Sequence, residues 1–352
     1  MLQTGKVRVA EYNTGNYGCT SKKRSLFIAI ITGLVTILIL SIIISVSIGQ
    51  VSIPFSQSYR ILIYKLTGLQ TGNLDQFMNG MFEEIIWQIR FPRVLLAMIA
   101  GIGLTLCGVV MQASVQNPLA DPYILGISSG ASLGATFSIM IGFGAGALVM
   151  GLASIGGKMS SVKLVLAGTV INALCNAISS FIVYFAKDAE GIRSVTFWTM
   201  GSLTSAQWGK LPIITTIVML AVVLFLSQAR IMNTMMMGEE TAVTLGINLN
   251  FYRRLYMVIS VAVTGVIVAT CGIIGFVGLI VPHIVRSIVG SDNKRLLPAS
   301  ILFSAIFLIW ADIFARTIIP NGELPIGIIT SLLGAPVFMY MLVKRSYGFG
   351  GK

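Results

Sequence analysis

From Ser25 to Gly49 the chain places 25 residues in a row without one charged side chain. A helix rises 1.5 Å per residue, so about 20 apolar residues cross the hydrocarbon core of a bilayer. The same pattern recurs from about Val94 to Ser114, Lys163 to Ala186, Leu211 to Gln228, Arg254 to Val277, Leu296 to Ile319 and Leu324 to Val343. Gly278–Gly290 is apolar but short, and Pro282 interrupts it. Charged residues make up only 10% of the chain, against about 25% in soluble domains. The fold class this predicts is an all-α polytopic membrane protein. A membrane β-barrel would show alternating ten-residue segments instead.

Tyr123–Ile155 carries no charge over 33 residues, long for one span and tight for two. Charge bias arbitrates. Read as two short, glycine-rich spans, it gives about ten crossings and places 15 of the 24 Lys and Arg residues on the side of the N-terminus, eight on the other side, and Arg286 within a span. Read as one span, it moves the Arg230–Arg254 and Lys344–Arg345 clusters to the outer side. The positive-inside rule selects the first reading, with both termini cytosolic in a multi-pass protein of the cytoplasmic membrane. The expected organisation is a cytosolic arm over residues 1–24, a membrane domain over 25–345 and a short tail over 346–352. Val51–Ile89 is expected as an extracytosolic loop with short helices, and no cleavable leader is expected, because Ser25–Gly49 is too long for one. Gly108…Pro118 and Gly272…Pro282 repeat one spacing on spans of opposite direction, the pattern of an inverted repeat.

A net charge of +12 raises nucleic acid as a partner, but the cations cluster at span ends, where they set topology and meet anionic lipid. Cys19, Cys107, Cys175 and Cys271 are far apart, so neither a disulfide framework nor a metal site is expected. The single histidine cannot build a usual zinc site, HExxH is absent, and no GxxxxGK[ST] string is present to hydrolyse ATP.

Met232–Arg254 interrupts the apolar pattern with a compact polar device. Gly238 precedes Glu239 and Glu240, acids suited to a helix N-terminus, and Gly246 is a natural stop. A second short piece, Leu249–Tyr252, leads to Arg253 and Arg254. The segment is long for a connector and suits either a protein contact or the lipid surface. Asp312 stands four residues before Arg316, where an i,i+4 pair can form.

Strings in order along residues 25–345 resemble the permease subunits of ABC importers for iron–siderophore, haem and cobalamin. They are Trp87-Gln-Ile-Arg-Phe-Pro-Arg93, Gly108-Val-Val-Met-Gln-Ala, Asn117-Pro-Leu-Ala-Asp-Pro122, Leu125-Gly-Ile-Ser-Ser-Gly-Ala131 and Leu166-Ala-Gly168, followed by Gly238-Glu-Glu-Thr-Ala with Leu245-Gly246. The series closes with Gly275-Phe-Val-Gly-Leu-Ile-Val-Pro-His-Ile-Val-Arg286, Ala311-Asp312 with Ala315-Arg316, and Glu323-Leu-Pro-Ile-Gly327 with Leu333-Gly-Ala-Pro336. The chain departs from the pattern between Gly130 and Gly168, where it is shorter.

The resemblance implies ten-span subunits paired as a homodimer or with a paralogous permease, two cytosolic ATPase subunits that carry ATP and Mg, and an extracytosolic substrate-binding protein. It implies that Gly238, Glu239, Glu240, Thr241, Ala242, Leu245 and Gly246 form a pair of coupling helices in the ATPase cleft. It gives Arg90, Arg93 and Arg316 the task of receiving acidic residues of the binding protein, with interfacial snorkelling as the alternative. It lines the path with Leu164–Phe185, Arg193–Gly201 and Pro325–Phe338. Ser160 and Ser161 stand at the gate, and Asn172, Asn176, Ser179 and Ser180 form a mild polar face that helix packing explains almost as well. Asp312, Pro282, His283 and Arg286 are expected as structural locks. The function implied is import of an iron(III)–siderophore complex, with haem and cobalamin as alternatives. An ion-coupled transporter would need several partnered intramembrane acids, and Asp312 is one.

Overall fold

The computed structural model describes residues 15–51, 53–68, 80–117, 120–121, 195–320 and 322–346, with scattered positions between 166 and 184. Tyr123–Ile155, Ser160, Ser161, Asn172 and Ser179 lie outside the described residues, and Asn176 and Ser180 are exposed helical positions. Every described element is helical. In chain order they are α1 (Gly15–Ser47), α2 (Phe55–Thr67), α3 (Gly80–Glu84), a π-helical turn (Ile85–Arg90), α4 (Phe91–Val115), α5 (Leu211–Ser227), α6 (Ala229–Met236), α7 (Glu239–Thr244), α8 (Leu249–Cys271), α9 (Val277–Val289), α10 (Asn293–Thr317) and α11 (Ile326–Ser346).

Two helix starts differ from the sequence reading, and α8 ends at Cys271, six residues before the expected Val277. α1 begins at Gly15, so the last ten residues of the expected polar arm are helical and continue into the first span. The second helix of the expected coupling pair is not separate, because Leu249 opens the 23-residue α8 without a break at Arg253–Arg254. The Asn248 side chain accepts from Phe251 N at 3.1 Å and fixes that start, so one N-cap replaces the expected turn.

Four stretches, Arg24–Ser47, Gly80–Val115, Leu249–Cys271 and Asn293–Thr317, are long and apolar enough to cross a bilayer. α5 and α6 qualify together across a 61° bend. The Gly80–Val115 stretch stays continuous because a π turn adjusts it ahead of Pro92. Proline has no N–H to give, and Phe91 N bonds Ile86 O one residue further back than in an α-helix.

α4 is the centre of the bundle, buried along almost its whole length and packed against α5, α8, α9 and α10. Lipid offers little apolar driving force between helices, so close backbone approach has to supply the adhesion. Gly108 shows how. Pro282 in α9 leaves the Gly278 carbonyl without its helical donor. Gln112 of α4 offers Nε2 to that carbonyl at 3.5 Å, and any side-chain carbon on Gly108 would collide with it.

α4 runs antiparallel to α8 and α10, shown by the bonds Arg253 to Ser114 and Arg93 to Asp312. The upper end of the bundle therefore carries the end of α1, the start of α4 and the end of α10. The lower end carries the end of α4, α7 and the starts of α8 and α10. Residues 230–254 and the end of α4 share one face. Cys107 and Cys271 are buried free thiols.

Candidate functional site

At the upper end three arginines converge, all buried. Arg90 Nη1 donates to Val46 O at 2.9 Å and Ser47 O at 2.8 Å, and Nη2 donates to Val51 O. Arg316 Nη1 donates to Ile48 O at 3.1 Å, while Nη2 reaches Ser45 O at 3.2 Å and Ser45 Oγ at 2.8 Å. Both guanidinium groups thus sit on the last carbonyls of α1, the negative end of its dipole. Arg93 Nε donates to Asp312 Oδ1 at 2.9 Å, and its Nη1 to Glu323 Oε2 at 2.8 Å. Arg316 Nε lies 3.0 Å from Asp312 Oδ2 in an ion pair, with its hydrogen directed at the Asp312 carbonyl at 3.4 Å.

Arg90, Arg93 and Arg316 are the residues expected to receive acidic residues of a binding protein. Each is buried and bonded to groups within the chain. Snorkelling does not describe them, since they point into the bundle. The physical reason is the supply of acceptors: the frayed end of α1 and the fully buried Asp312 lie within reach, and an unpaired buried guanidinium would be costly. Sequence spacing finds Asp312 beside Arg316, but nothing local marks Arg93 or Glu323 as partners.

The lower end carries the elbow. Gly238, at φ 115°, turns the chain into α7 in a conformation that side chains disfavour. Glu239 and Glu240 fill the first turn. At the far end Gly246 adopts φ 78°, Gly246 N bonds Val243 O at 2.9 Å, and Ile247 N bonds Ala242 O at 3.0 Å, a Schellman closure. Ala242 is fully buried, whereas Val243 and Leu245 are 60% and 63% exposed. Thr241 is exposed beside them. Phe251 and Met237 extend the same exposed apolar surface.

Two bonds staple this elbow to the end of α4. The buried Arg253 gives Nε to Ser114 O at 3.1 Å and pairs through Nη2 with Glu239 Oε2 at 3.4 Å. Gln116 gives Nε2 to Met235 O at 2.7 Å. A third bracket, not anticipated from sequence, joins α6 to α10. Asn233 Nδ2 donates to Asp292 Oδ1 at 2.7 Å, and Asn233 Oδ1 accepts from Asn293 N at 2.8 Å. Partial burial would raise the Asp292 carboxyl. The bonds from Asn233 and Lys294 N, with the charges of Lys294 and Arg295, hold it below the ordinary carboxylate value. Nearer the middle, Arg286 Nη2 donates to Gln112 Oε1 at 2.9 Å, and Pro282 and half-buried His283 lie on the same helix, α9.

Between α11, residues 199–200 and the 273–276 segment that leads into α9 runs an open groove of about 700 Å³. Its lining is apolar apart from the hydroxyls of Thr199 and Ser331. Phe276 stands in it at φ 68°, a left-handed conformation that costs a bulky residue about 1–2 kcal/mol. Its ring lies 6.5 Å from that of Phe338 on α11. Among the described residues no three His, Cys, Asp or Glu side chains gather to hold a metal ion.

A bundle of apolar spans with a buried charge lock above and an exposed elbow below defines a membrane permease worked from one face. The chain belongs to the FecCD transport family, which it matches over residues 37–344. It is similar to the hemin transport system permease protein HmuU of Yersinia pestis, at 39% identity over 76% of this chain and 85% of that protein. It is also similar to the molybdate import system permease protein MolB of Haemophilus influenzae, at 33% identity over 91% and 96%. Among solved structures it resembles one described as an inward-facing conformation of a metal-chelate type ABC transporter. That likeness has TM-score 0.76 and 31% identity, over 90% of this chain and 99% of the other. The protein is thus a multi-pass permease subunit of an ABC importer, not itself an enzyme. ATP hydrolysis belongs to partner ATPases, and a substrate-binding protein delivers cargo.

Proposed function

We propose that this subunit moves an iron(III)–siderophore complex into the cytosol, as one half of a homodimer whose termini and elbow face the cytosol. The observation that carries the cargo reading is the groove beside Phe276. Its wall of apolar groups and two hydroxyls offers no ligand that would compete for a metal, so it suits a large cargo whose metal is already wrapped. Haem is the second reading, favoured by the likeness to HmuU.

In this reading the ATPase receives Val243, Leu245 and Phe251 in a cleft and pushes on α7. The three staples pass that push to α4 and α10, the two helices whose upper ends are joined by Arg93 and Asp312. The binding protein docks on the upper surface whose shape the arginines maintain, rather than on their guanidinium groups. By the family resemblance, Ser160 and Ser161 are assigned to the gate and Asn172, Asn176, Ser179 and Ser180 to the mild polar face of the path; of these only Asn176 and Ser180 are among the described residues.

Reconstitution of the subunit with its ATPase and binding protein in sealed vesicles tests this directly. ATP-dependent accumulation of a ferric siderophore, with none of hemin or molybdate, is the expected result. Accumulation of hemin alone replaces the cargo reading with haem, and transport on an ion gradient without ATP overturns the coupling scheme.

A further inference from the structure

α2 divides its surface into three stripes. At 3.6 residues per turn, Ser58, Ile61, Leu62 and Lys65 fall on one side, and this side meets the protein. Ser58, Ile61 and Leu62 are buried, and Lys65 pairs with Glu83 of α3. Ser56, Arg60, Tyr64 and Thr67 form a second, polar stripe. Phe55, Tyr59, Ile63 and Leu66 form a third, apolar and aromatic, on which Tyr59 is half-buried and the other three are uncovered: Phe55 is 52% exposed and Leu66 58%.

A helix resting on protein with one flank and on water with another needs a third neighbour for such a stripe. The fold says which. Phe55 lines a shallow groove of about 380 Å³ together with Ile44, Ser47 and Ile48 of the α1 end and Ile53. The apolar stripe therefore continues the outward surface of α1, where Ile37, Ile39, Leu40 and Ile48 are exposed. Only 6% of the membrane-crossing window of α1 is buried within the chain, so its outward surface is already a lipid interface.

We propose that α2 is an in-plane interfacial helix, and that the corner between Phe55 and the end of α1 holds an acyl chain of a phospholipid from the adjoining leaflet. Arg60 and Tyr64 lie on the neighbouring polar stripe, at the level of the headgroup. Tyrosine and arginine suit that boundary, where one end of the side chain is apolar and the other is wet. A groove of this size lies within the range that small apolar ligands fill.

Photocrosslinking tests the assignment. The full-length subunit is placed in nanodiscs of phosphatidylcholine and phosphatidylglycerol carrying a diazirine on one acyl chain, then irradiated and mapped by mass spectrometry. Adducts are expected on residues 55–66 as well as on α1. Phe55→Ser together with Leu66→Ser is expected to lower the adducts on residues 55–66 about tenfold, the factor that loss of buried apolar side chains carries, with those on α1 unchanged. Labelling of α1 with none on residues 55–66 would overturn the proposal. So would loss of the 55–66 adducts when a binding protein is added, which would make the stripe a protein-docking surface.

Discussion

Asp312 is the single anion between Arg93 and Arg316, and it has no exposure to solvent. Asp312→Asn keeps the shape and removes the charge, leaving Arg316 without its carboxylate and Arg93 with Glu323 alone. Breaking a buried pair in this way costs about 3–5 kcal/mol. Glu323 is also paired with Arg93, but its side chain is 33% exposed and its loss is screened by solvent. Glu323→Gln should therefore cost less than about 1 kcal/mol. Thermal unfolding of the two variants in one detergent separates them; equal shifts would contradict the ranking. Gly108→Val should be worse than either, because the collision is with the Gly278 backbone and neither helix can yield alone. Size-exclusion profiles of a fluorescent fusion should show it aggregated.

In the proposed scheme the elbow is the element on which transport depends. Leu245→Asp and Glu239→Arg should abolish ATP-driven uptake while the subunit still inserts. The first puts a charge on the exposed apolar surface, and the second sets a cation beside Arg253. Asn233→Leu tests the bracket to α10: ATP hydrolysis should continue while uptake falls, and normal uptake would show that the bracket carries no force. Asp292, in the same bracket, has its folded-state pKa depressed. Its contribution is complete above the unfolded value near 4 and is lost as pH falls through the lower folded value. Hydrogen exchange at the α6–α10 junction should therefore rise only in strongly acidic buffer. Much of this element was legible in the sequence, since Gly238, the two acids and Gly246 each have a local physical meaning. The single helix that follows was not, because paired arginines read as a boundary while Asn248 supplies the actual start. For α4, α5, α9, α10 and α11 the limits were legible to within about three residues, as apolar runs report membrane thickness directly. The arginine contacts were hidden, because backbone carbonyls and distant carboxylates leave no mark beside Arg90 or Arg93.

Among the described helices, α4 is the one packed against α5, α6, α8, α9 and α10 together. It meets the elbow through Ser114 and Gln116, α9 through Gly108 and Gln112, and the upper lock through Arg93. A stroke delivered below thus has one buried column by which to reach the opposite end. A cysteine pair placed at the α4–α9 contact and oxidised should stop uptake without stopping ATP hydrolysis. If uptake survives that crosslink, motion within α4–α9 is not part of the cycle.

α1 packs along α10, where Trp310 Nε1 donates to Ser41 Oγ at 3.0 Å, and at its upper end Arg90 and Arg316 grip its main-chain carbonyls and the Ser45 hydroxyl. A grip on main chain is indifferent to lineage. The outward side of the first span is accordingly free to drift in sequence, and a greasy helix of equal length that keeps Ser41, Ser45 and the side chains facing α10 should graft in its place without loss of transport.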